Sequence, residues 1–375
     1  RDRSWTSWPN PAPLDAALSG QTDLDKLLAP DARPTNPMPT QHPQHIAIIG
    51  AGLSGLACAN ALAAAGASVR VYDKGRGPGG RTSTRRVDID GVEVGFDHGA
   101  QYFTVRDPRM EAQLRHWASI GVAKRWEGRV AVLGEDGSVD SYSDKPRFVG
   151  TPTMSAICQH LAADRDVQCG VTVSRVERGD DGVTLFDADD NSLGRFDRVV
   201  CTAPPLQTAA LLADAAPAIA RRARGVTMKP CWAVMLAFES TLDVPFDGAF
   251  INHGPLSWVA RVGSKPARAP TPDAWVLHAG ADWSTAHLEA PREEVLDPLV
   301  DTLFQTINRK KQAPTWQTAH RWRYALADTP LEEGCLATED ARILACGDWT
   351  NSNRVEGALL AGLAAASRVH DERRG

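Results

Sequence analysis

The sequence lacks several features that mark common classes of protein. It has no run of 18 apolar residues, so no transmembrane helix is expected. Its seven cysteines are odd in number and form no Cys-x-x-Cys pair, which argues against a disulfide framework and favours a reducing compartment, the cytoplasm. Single-sign charge runs are short at a net charge of −5, so no nucleic-acid partner is expected. No ligand cluster has metal-binding spacing, so no metal is predicted.

The first 44 residues differ in composition from the rest. They contain eight prolines and many Asp, Ala, Thr and Gln residues, which favours a disordered or linker-like extension with at most one short helix, about 14–28. Met38 lies seven residues before the first predicted strand and could be the true start. In that case residues 1–37 would contribute nothing to catalysis.

A strand, a glycine turn, a helix and a second strand follow one another from His45 onward. His45–Ile49 is a short apolar run typical of a buried parallel strand. The glycine motif Gly50–Gly55 precedes a predicted helix over Leu56–Ala65, and Ser68–Tyr72 reads as a strand closed by Asp73. This is the βαβ context that a dinucleotide-binding glycine motif requires.

Each residue of the motif has a physical role in holding a dinucleotide. Gly50 allows the tight turn, Gly52 lets the backbone approach a pyrophosphate, and Gly55 lets the helix pack closely on the strand. The helix N-terminus presents N–H groups and a positive dipole to the phosphates. Asp73 would accept hydrogen bonds from the ribose hydroxyl groups of adenosine.

Two further segments favour FAD over NAD. A second glycine loop ending in Gly79-Gly80-Arg81 resembles the amine-oxidase and glutathione-reductase-like flavoproteins, in which the arginine contacts the pyrophosphate. Gly347-Asp348 and a helix from Glu356 resemble the last motif of that superfamily, whose aspartate binds the ribityl or phosphate region and whose helix dipole stabilises negative charge on the flavin. No cysteine lies between Asp348 and Glu356, so non-covalent FAD is expected. The predicted FAD contacts are Gly50, Gly52, Leu53, Ser54, Gly55, Asp73, Lys74, Gly80, Arg81, Thr82, Val173, Gly347, Asp348, Arg354, Glu356, Gly357 and Ala358.

The order of predicted elements gives an α/β fold, a Rossmann-type FAD-binding domain with a smaller α+β substrate domain. Strand-like runs at Val171–Val173, Val183–Leu185, Arg198–Cys201 and Ala341–Cys346 belong to the first of these. We therefore predict a discontinuous FAD-binding domain and a substrate domain, the former at 45–105, 150–205 and 335–375, the latter at 106–149 and 206–334.

Several motifs resemble the renalase family, especially its bacterial members. They are GGRTSTRR…FDHGAQYFT over 79–104, Met228–Ala233, residues 258–266, His320–Tyr324 and the segment GDWTNSNRVEGALLAGLAAA. The resemblance covers about residues 46–369. It implies an oxidase that takes hydride from dihydro-NAD(P) isomers carrying hydride at the 2 or 6 position of the ring, giving NAD(P)⁺ and, with O₂, hydrogen peroxide. Such an activity would serve metabolite repair.

The residues themselves fit a substrate that docks directly on the flavin. No second GxGxxG motif marks a separate NADPH domain, and no redox CxxC pair is present. The predicted substrate domain is rich in tryptophan and cations, which suit a flat anionic ligand. A dihydronicotinamide already carries its hydride, so no general base is required. The predicted catalytic residues, by resemblance, are Gln101, Tyr102, His320 and Trp322. The predicted substrate-binding residues are Trp232, Trp258, Arg261, His278, Arg323 and Tyr324.

Two other functions stay open at this point. One is a monooxygenase-like or amine-oxidising flavoenzyme, against which stand the short catalytic core of about 330 residues and the lack of a lysine in a recognisable context for flavin N5. The other is a flavin-binding regulator without turnover. The isomer preferred, the choice of NAD or NADP, and the oligomeric state are not readable from the sequence.

Overall fold

The computed structural model describes residues 43–371, which contain twenty strands and eight α-helices. The strands are β1 (His45–Ile49), β2 (Ser68–Asp73), β3 (Arg85–Ile89), β4 (Val92–Phe96), β5 (Ala123–Trp126), β6 (Val130–Leu133), β7 (Val139–Ser143), β8 (Arg147–Gly150), β9 (Asp166–Cys169), β10 (Val173–Gly179), β11 (Gly182–Asp187), β12 (Ser192–Phe196), β13 (Arg198–Cys201), β14 (Met228–Phe238), β15 (Gly248–Ile251), β16 (Leu256–Arg261), β17 (Asp273–Ala279), β18 (Trp316–Ala327), β19 (Cys335–Ala337) and β20 (Ile343–Cys346). The helices are α1 (Leu53–Ala64), α2 (Pro108–Ser119), α3 (Ser155–Ala162), α4 (Pro205–Leu211), α5 (Pro217–Arg224), α6 (Ala281–Ala286), α7 (Arg292–Thr306) and α8 (Val355–Asp371).

A six-stranded sheet is built around the predicted βαβ unit. Its order is β19-β20-β13-β1-β2-β9, and every neighbouring pair is parallel except β19 with β20. The predicted helix begins three residues early, at Leu53, because the extended backbone of Gly52 already forms its N-cap and Gly55 lies inside it. The doubly wound nucleotide-binding arrangement that the sequence predicts is therefore present.

Two predicted strands begin later than the sequence indicated. Residues 170–172 are not in a strand, because Gly170 has a φ of +75° and the Val171 N–H turns back to the carbonyl of Asp73. β10 then starts at Val173 and forms an antiparallel sheet with β11 and β12. β20 starts at Ile343, since Ala341 has a φ of +46° in the turn before it.

A second, mixed sheet has seven strands in the order β18-β14-β17-β16-β15-β6-β7. One face packs on α7 through a core that includes Val234, Leu277 and Leu299. The other face carries Met235 and Val276 and packs on the β3–β4 hairpin, in the buried cluster that contains Phe96. We call the face toward α7 the outer face and the face toward the hairpin the inner face.

Residues 43–371 belong to one compact unit. The proposed division into an FAD-binding and a substrate domain stays a prediction, as does the part of it that covers residues 372–375. Residues 1–42, including Met38 and the predicted helix at 14–28, lie outside the described residues. None of the described helices is long and apolar enough to cross a membrane.

Candidate functional site

The first glycine turn has the geometry that a dinucleotide needs. Gly50 has a φ of +114°, which disfavours a side chain, and its N–H donates to the Tyr72 carbonyl at 2.7 Å. A Cβ on Gly55 would lie 1.9 Å from the carbonyl oxygen of Gly50, whereas a Cβ on Gly52 would meet nothing within 4 Å. The turn is thus closed on its inner side by Gly55 and open in front of Gly52, where a phosphate would lie.

Asp73 ties the two glycine loops together. One carboxylate oxygen accepts from the Ala51 N–H and the other from the Gly75 N–H, each at 2.6 Å. Each oxygen can accept a further hydrogen bond, so the carboxylate retains capacity for ribose hydroxyl groups. The second loop meets the first where the Gly79 N–H donates to the Ala51 carbonyl at 2.9 Å and where Gly80, with a φ of +52°, faces Gly52.

Arg81 brings the second glycine loop to the C-terminal motif. Its guanidinium forms a bidentate ion pair with Asp348, with N–O distances of 2.7 and 2.6 Å. It also donates to the carbonyl of Ala325 on β18 at 2.9 Å. Asp348 is buried, whereas the Arg81 side chain is 31% exposed, so the arginine is the more accessible partner of the pair. Two predicted FAD contacts that are 267 residues apart in sequence are therefore in direct contact.

The C-terminal helix α8 packs tightly on α1. A Cβ on Gly362 would lie 2.2 Å from the Ser54 carbonyl oxygen, and one on Gly357 would lie 2.0 Å from that of Ser352. The Ser54 hydroxyl lies 3.4 Å from the sulfur of Cys346, the residue before Gly347. This packing brings the first and last predicted motifs side by side.

Not every predicted cofactor residue faces the loops. The Glu356 carboxylate is buried and accepts from the Arg106 and Asp107 N–H groups at 2.7 and 2.8 Å, at the start of α2. Lys74 and Arg354 are exposed, and the Lys74 ammonium lies 3.4 Å from the Gln207 side chain. The remaining predicted contacts are part of these elements. Leu53 lies in the first turn of α1, Thr82 in the Arg81 loop, Val173 at the start of β10 and Ala358 in the first turn of α8.

The glycine loops fit an elongated anionic cofactor. No side chain caps the N-terminus of α1 among the described residues, so its first N–H groups face the open space before Gly52. Arg81 and the α1 N-terminus would bind a diphosphate there, Asp73 a ribose, and Asp348 a polyhydroxyl chain.

An aromatic cluster lies on the inner face beyond Arg81. The ring centroids of His98 and Trp322 are 5.1 Å apart and nearly parallel, and His320 packs edge-on against both, at 4.7 Å from His98 and 4.4 Å from Trp322. The Trp322 indole N–H donates to the His98 carbonyl at 2.9 Å, and Nε2 of His278 lies 3.1 Å from the same oxygen. The structure thus brings the predicted residues His278, His320 and Trp322 together, around His98.

The three histidines of this cluster are held neutral. Burial, with contributions from His320 and Arg85, lowers the pKa of His98 to about 3, although the hydrogen bond to the Phe96 carbonyl opposes this. Burial also lowers the pKa of His278 to about 4. Burial and the charge of Arg85 lower the pKa of His320 to about 4. At neutral pH this wall of the site is therefore flat, aromatic and uncharged.

A buried polar network adjoins the cluster at Gln101. Its amide donates to the Asp97 carbonyl oxygen and accepts from the Lys265 ammonium at 3.0 Å. The Asp97 carboxylate also pairs with Arg268 at 2.6 Å. Burial lowers the pKa of Lys265 to about 8, although Asp97 opposes this. Burial acts to raise the pKa of Asp97, but Lys265 and Arg268 outweigh it and lower that pKa overall.

Lys265 is a functional candidate that the sequence did not assign to the flavin. It follows the short 3₁₀ turn after β16, and only the fold brings it to Gln101, 164 residues away. The segment Trp258–Pro266, which the resemblance singled out, was the available signal.

Tyr102 and Trp258 lie on the other side of Gln101. Their ring centroids are 5.4 Å apart, and the Trp126 ring completes the group at 6.3 Å from Tyr102. Arg147 lies over the Tyr102 ring at 5.1 Å. The predicted residues Tyr102, which follows Gln101 in sequence, and Trp258 are thus in one cluster.

Three predicted substrate contacts lie on the outer face or its edge instead. Trp232 belongs to the core beneath α7 and donates to the His287 carbonyl at 2.9 Å. Arg261 pairs with Asp273 at 3.2 Å and lies over the Trp275 ring. Arg323 pairs with Glu289, and Tyr324 follows it on β18, two residues from Trp322 and on the same face as Trp322 by strand alternation.

Comparisons with known families agree with this arrangement. Residues 48–117 match the NAD(P)-binding Rossmann-like domain. Residues 137–370, more than half of the chain, match the flavin containing amine oxidoreductases.

Short segments are similar to curated L-amino-acid oxidases. The oxidase of Daboia russelii is 51% identical over 47 residues, which cover 12% of this chain and 9% of that protein. The L-amino acid oxidase Bs29 of Bothriechis schlegelii is 46% identical over 52 residues, which cover 14% of this chain and 10% of that protein. These matches therefore span about a tenth of the relatives' length.

Solved structures are similar over most of the chain. A candidate protoporphyrinogen oxidase from Exiguobacterium sp. 255-15 has a TM-score of 0.68 at 13% identity, covering 90% of this chain and 100% of its own. Cyclohexylamine oxidase from Brevibacterium oxydans IH-35A has a TM-score of 0.66 at 15% identity, covering 89% and 100%. A double mutant of putrescine oxidase has a TM-score of 0.62 at 16% identity, covering 88% and 99%. At these identities the likeness shows the fold, and it confirms the predicted fold class.

Proposed function

Since this chain belongs to the flavin containing amine oxidoreductase family, we propose that it oxidises isomeric dihydro-NAD(P), in its 2- or 6-dihydronicotinamide forms. The family establishes that the chain is an oxidoreductase whose cofactor is FAD. The renalase-like substrate is the proposed part. The balanced reaction is dihydro-NAD(P) plus O₂ plus a proton giving NAD(P)⁺ plus H₂O₂.

The observation that carries the proposal is the uncharged aromatic wall formed by His98, His320 and Trp322 beside the cations Arg85 and Lys265. A dihydronicotinamide ring is flat and neutral and can pack on such a wall, while its phosphates favour a positive potential. A protonated amine would be repelled by the same cations and would have to lose a proton before oxidation. The low pKa values of His98 and His320 reflect this positive potential in addition to burial.

Bound FAD supplies the redox chemistry, accepting a hydride from the substrate and passing two electrons to O₂. The chain's own residues bind and orient the cofactor and the substrate. Gly52, Asp73, Arg81 and Asp348 would hold the cofactor, and no cysteine lies between Asp348 and Glu356 to attach it covalently. Gln101, fixed by Lys265 and Asp97, would present a positioned amide to the reacting rings. Trp322 and His320 would hold the donor ring flat and exclude water.

A second candidate is the oxidation of a small amine. It is favoured by the family and by two structural neighbours that are named as putrescine oxidase and cyclohexylamine oxidase. The lack of a lysine in a recognisable context for flavin N5 counted against an amine oxidase in the sequence. The buried Lys265 on Gln101, with its pKa lowered by burial to about 8, weakens that objection. The charge of the site favours the dinucleotide.

The two candidates are separated by reduction of the flavin without oxygen. The holoprotein would be mixed with borohydride-treated NAD(P)⁺, which contains the isomeric dihydronicotinamides, and separately with ordinary NADH, putrescine, cyclohexylamine and L-amino acids. We expect the isomers alone to bleach the flavin rapidly and peroxide to form when air is admitted. Bleaching by an amine or amino acid would favour the second candidate, and no bleaching at all would favour a flavin-binding regulator.

A further inference from the structure

Arg85 is a cation at the site to which neither the family match nor the predicted contacts give a role. It is the first residue of β3, and its Cα partner on β4 is Phe96, two residues before His98. Directly paired residues project from the same face of a hairpin. Phe96 stacks on Trp316 of β18 with ring centroids 5.1 Å apart, so the Arg85 side chain also lies toward the inner face. His320 is four residues further along β18, on the same side as Trp316.

The Arg85 guanidinium lacks a partner in the part of the chain that the structure describes. Its Nε is buried and has no hydrogen-bond partner there, and no ion pair with another described residue involves its side chain. A buried N–H without an acceptor is costly, so the Nε–H of this half-buried side chain is available to an acceptor on a bound ligand.

Asp97, the acid next to Phe96 in sequence, already balances two other cations. One of its oxygens accepts from the Thr84 hydroxyl at 2.7 Å and the Met154 N–H at 3.0 Å, and the other lies 2.6 Å from Arg268 and 3.7 Å from the Lys265 ammonium. The neighbouring histidines are neutral and carry no charge to balance Arg85. The site therefore holds a permanent positive charge that an anionic ligand would balance, as arginine does for phosphate groups.

We propose that Arg85 is a substrate-binding residue that recognises the phosphate attached to the nicotinamide ribose, and that it sets a preference for nucleotides over nucleosides. This deepens the proposed function and rests on it. The diphosphate of FAD is the other source of phosphate, but the α1 N-terminus and Arg81 are arranged for it at the glycine loops. Arg85 lies instead beside the wall on which the donor ring would pack.

The matched control is the next residue along β3. Arg86 is exposed and projects from the opposite face of the hairpin, where it lies 3.3 Å from the hydroxyl groups of Thr153 and Ser155. The variants Arg85→Gln and Arg86→Gln therefore remove the same charge from opposite faces of one strand.

The test compares binding of two fragments of the oxidised product to the holoprotein, so it needs no turnover. Nicotinamide mononucleotide and nicotinamide riboside differ only in the phosphate, and their dissociation constants would be measured by calorimetry. We expect the wild-type protein and Arg86→Gln to prefer the mononucleotide by about 10- to 100-fold, the range of a lost charge-assisted hydrogen bond, and Arg85→Gln to lose this preference. FAD content should be equal in all three proteins.

Three results would overturn the assignment. They are a wild-type protein without preference for the mononucleotide, a preference that survives in Arg85→Gln, and a loss of FAD in Arg85→Gln, which would place Arg85 on the cofactor instead. The proposed function fails separately, when the phosphate preference is present but the dihydro isomers do not bleach the flavin.

Discussion

Arg81 and Asp348 form a bidentate ion pair that joins the two ends of the cofactor-binding region. The same guanidinium donates to the Ala325 carbonyl on β18, and the carbonyl of Arg81 accepts from the Ala100 N–H at 2.8 Å. One residue therefore contacts the last cofactor motif, the strand that carries His320 and Trp322, and the loop that carries Gln101.

Arg81→Lys and Asp348→Asn should both weaken FAD binding. Each removes at least one charge-assisted hydrogen bond of about 1.5–3 kcal/mol, which corresponds to roughly 10- to 150-fold in affinity if the pair organises the site. FAD content and the dissociation constant, followed by flavin fluorescence, measure the effect. The control is Arg70→Lys, which alters the half-exposed Arg70–Asp166 pair and should leave FAD binding unchanged. Full FAD affinity in both site variants would contradict the role given to this pair.

Two glycines of the first turn should respond differently to alanine. In Gly55→Ala the new Cβ would lie 1.9 Å from the Gly50 carbonyl, so α1 must shift and the apoprotein should lose about 1–3 kcal/mol of stability. In Gly52→Ala the Cβ meets no protein atom within 4 Å, so the melting temperature of the apoprotein should hold.

FAD affinity shows whether Gly52 is needed for the cofactor rather than for the stability of the fold. The Cβ of Gly52→Ala would occupy the space of the phosphates, and we expect a loss of about tenfold or more. Calorimetric melting with and without added FAD measures both quantities. Normal FAD affinity in Gly52→Ala would show that the cofactor does not approach this turn.

The buried histidines should make the protein sensitive to mild acid. His98, His278 and His320 have pKa values of about 3, 4 and 4 in the folded protein, against 6.5 when unfolded. Above pH 6.5 they are neutral in both states. As the pH falls from 6.5 toward 4, only the unfolded chain takes up protons, so the free energy of unfolding decreases.

A single substitution tests this origin of the acid sensitivity. His320→Gln removes one of the three groups, so the number of protons taken up on unfolding at mildly acid pH should fall by about one. The free energy of unfolding should then decline less steeply with falling pH. Urea unfolding between pH 4.5 and 7 gives the slope in each protein. Equal slopes in the variant and the wild type would show that His320 is not held neutral.

Lys265 should give the reaction a dependence on alkaline pH. Its pKa is lowered by burial to about 8, so its charge is lost as the pH rises through that value. We expect kcat/KM for an anionic substrate to fall above about pH 8, and the fall to disappear in Lys265→Met. Lys124→Met, at an exposed position of β5, is the control and should keep the wild-type profile. An alkaline limb that persists in Lys265→Met would exclude Lys265 as its cause.

The cofactor motifs could be predicted from the sequence because their chemistry depends on local backbone geometry. Gly50 and Gly55 are required by a turn and a helix that lie within a few residues of them, and the element types follow from apolar periodicity. The contact of Arg81 with Asp348 could be anticipated only because both belonged to recognisable motifs.

The substrate face was harder to predict, for two physical reasons. β14 is buried over nearly its whole length, so its sequence does not show that Trp232 lies on the outer face. On β18, strand alternation alone separates His320 and Trp322 from Arg321 and Arg323, and this signal was available. Lys265 and Arg85 gain their character from burial and from neighbours distant in sequence, which no local pattern reports.

The most direct test of the account is an anaerobic titration of the holoprotein with a purified isomeric dihydronicotinamide dinucleotide. We expect one equivalent to bleach one equivalent of flavin and to yield one equivalent of NAD(P)⁺. Air should then return the flavin spectrum with one equivalent of H₂O₂. A flavin that stays oxidised with excess isomer, while an amine bleaches it, would contradict the proposed substrate and leave the FAD-dependent oxidoreductase in place.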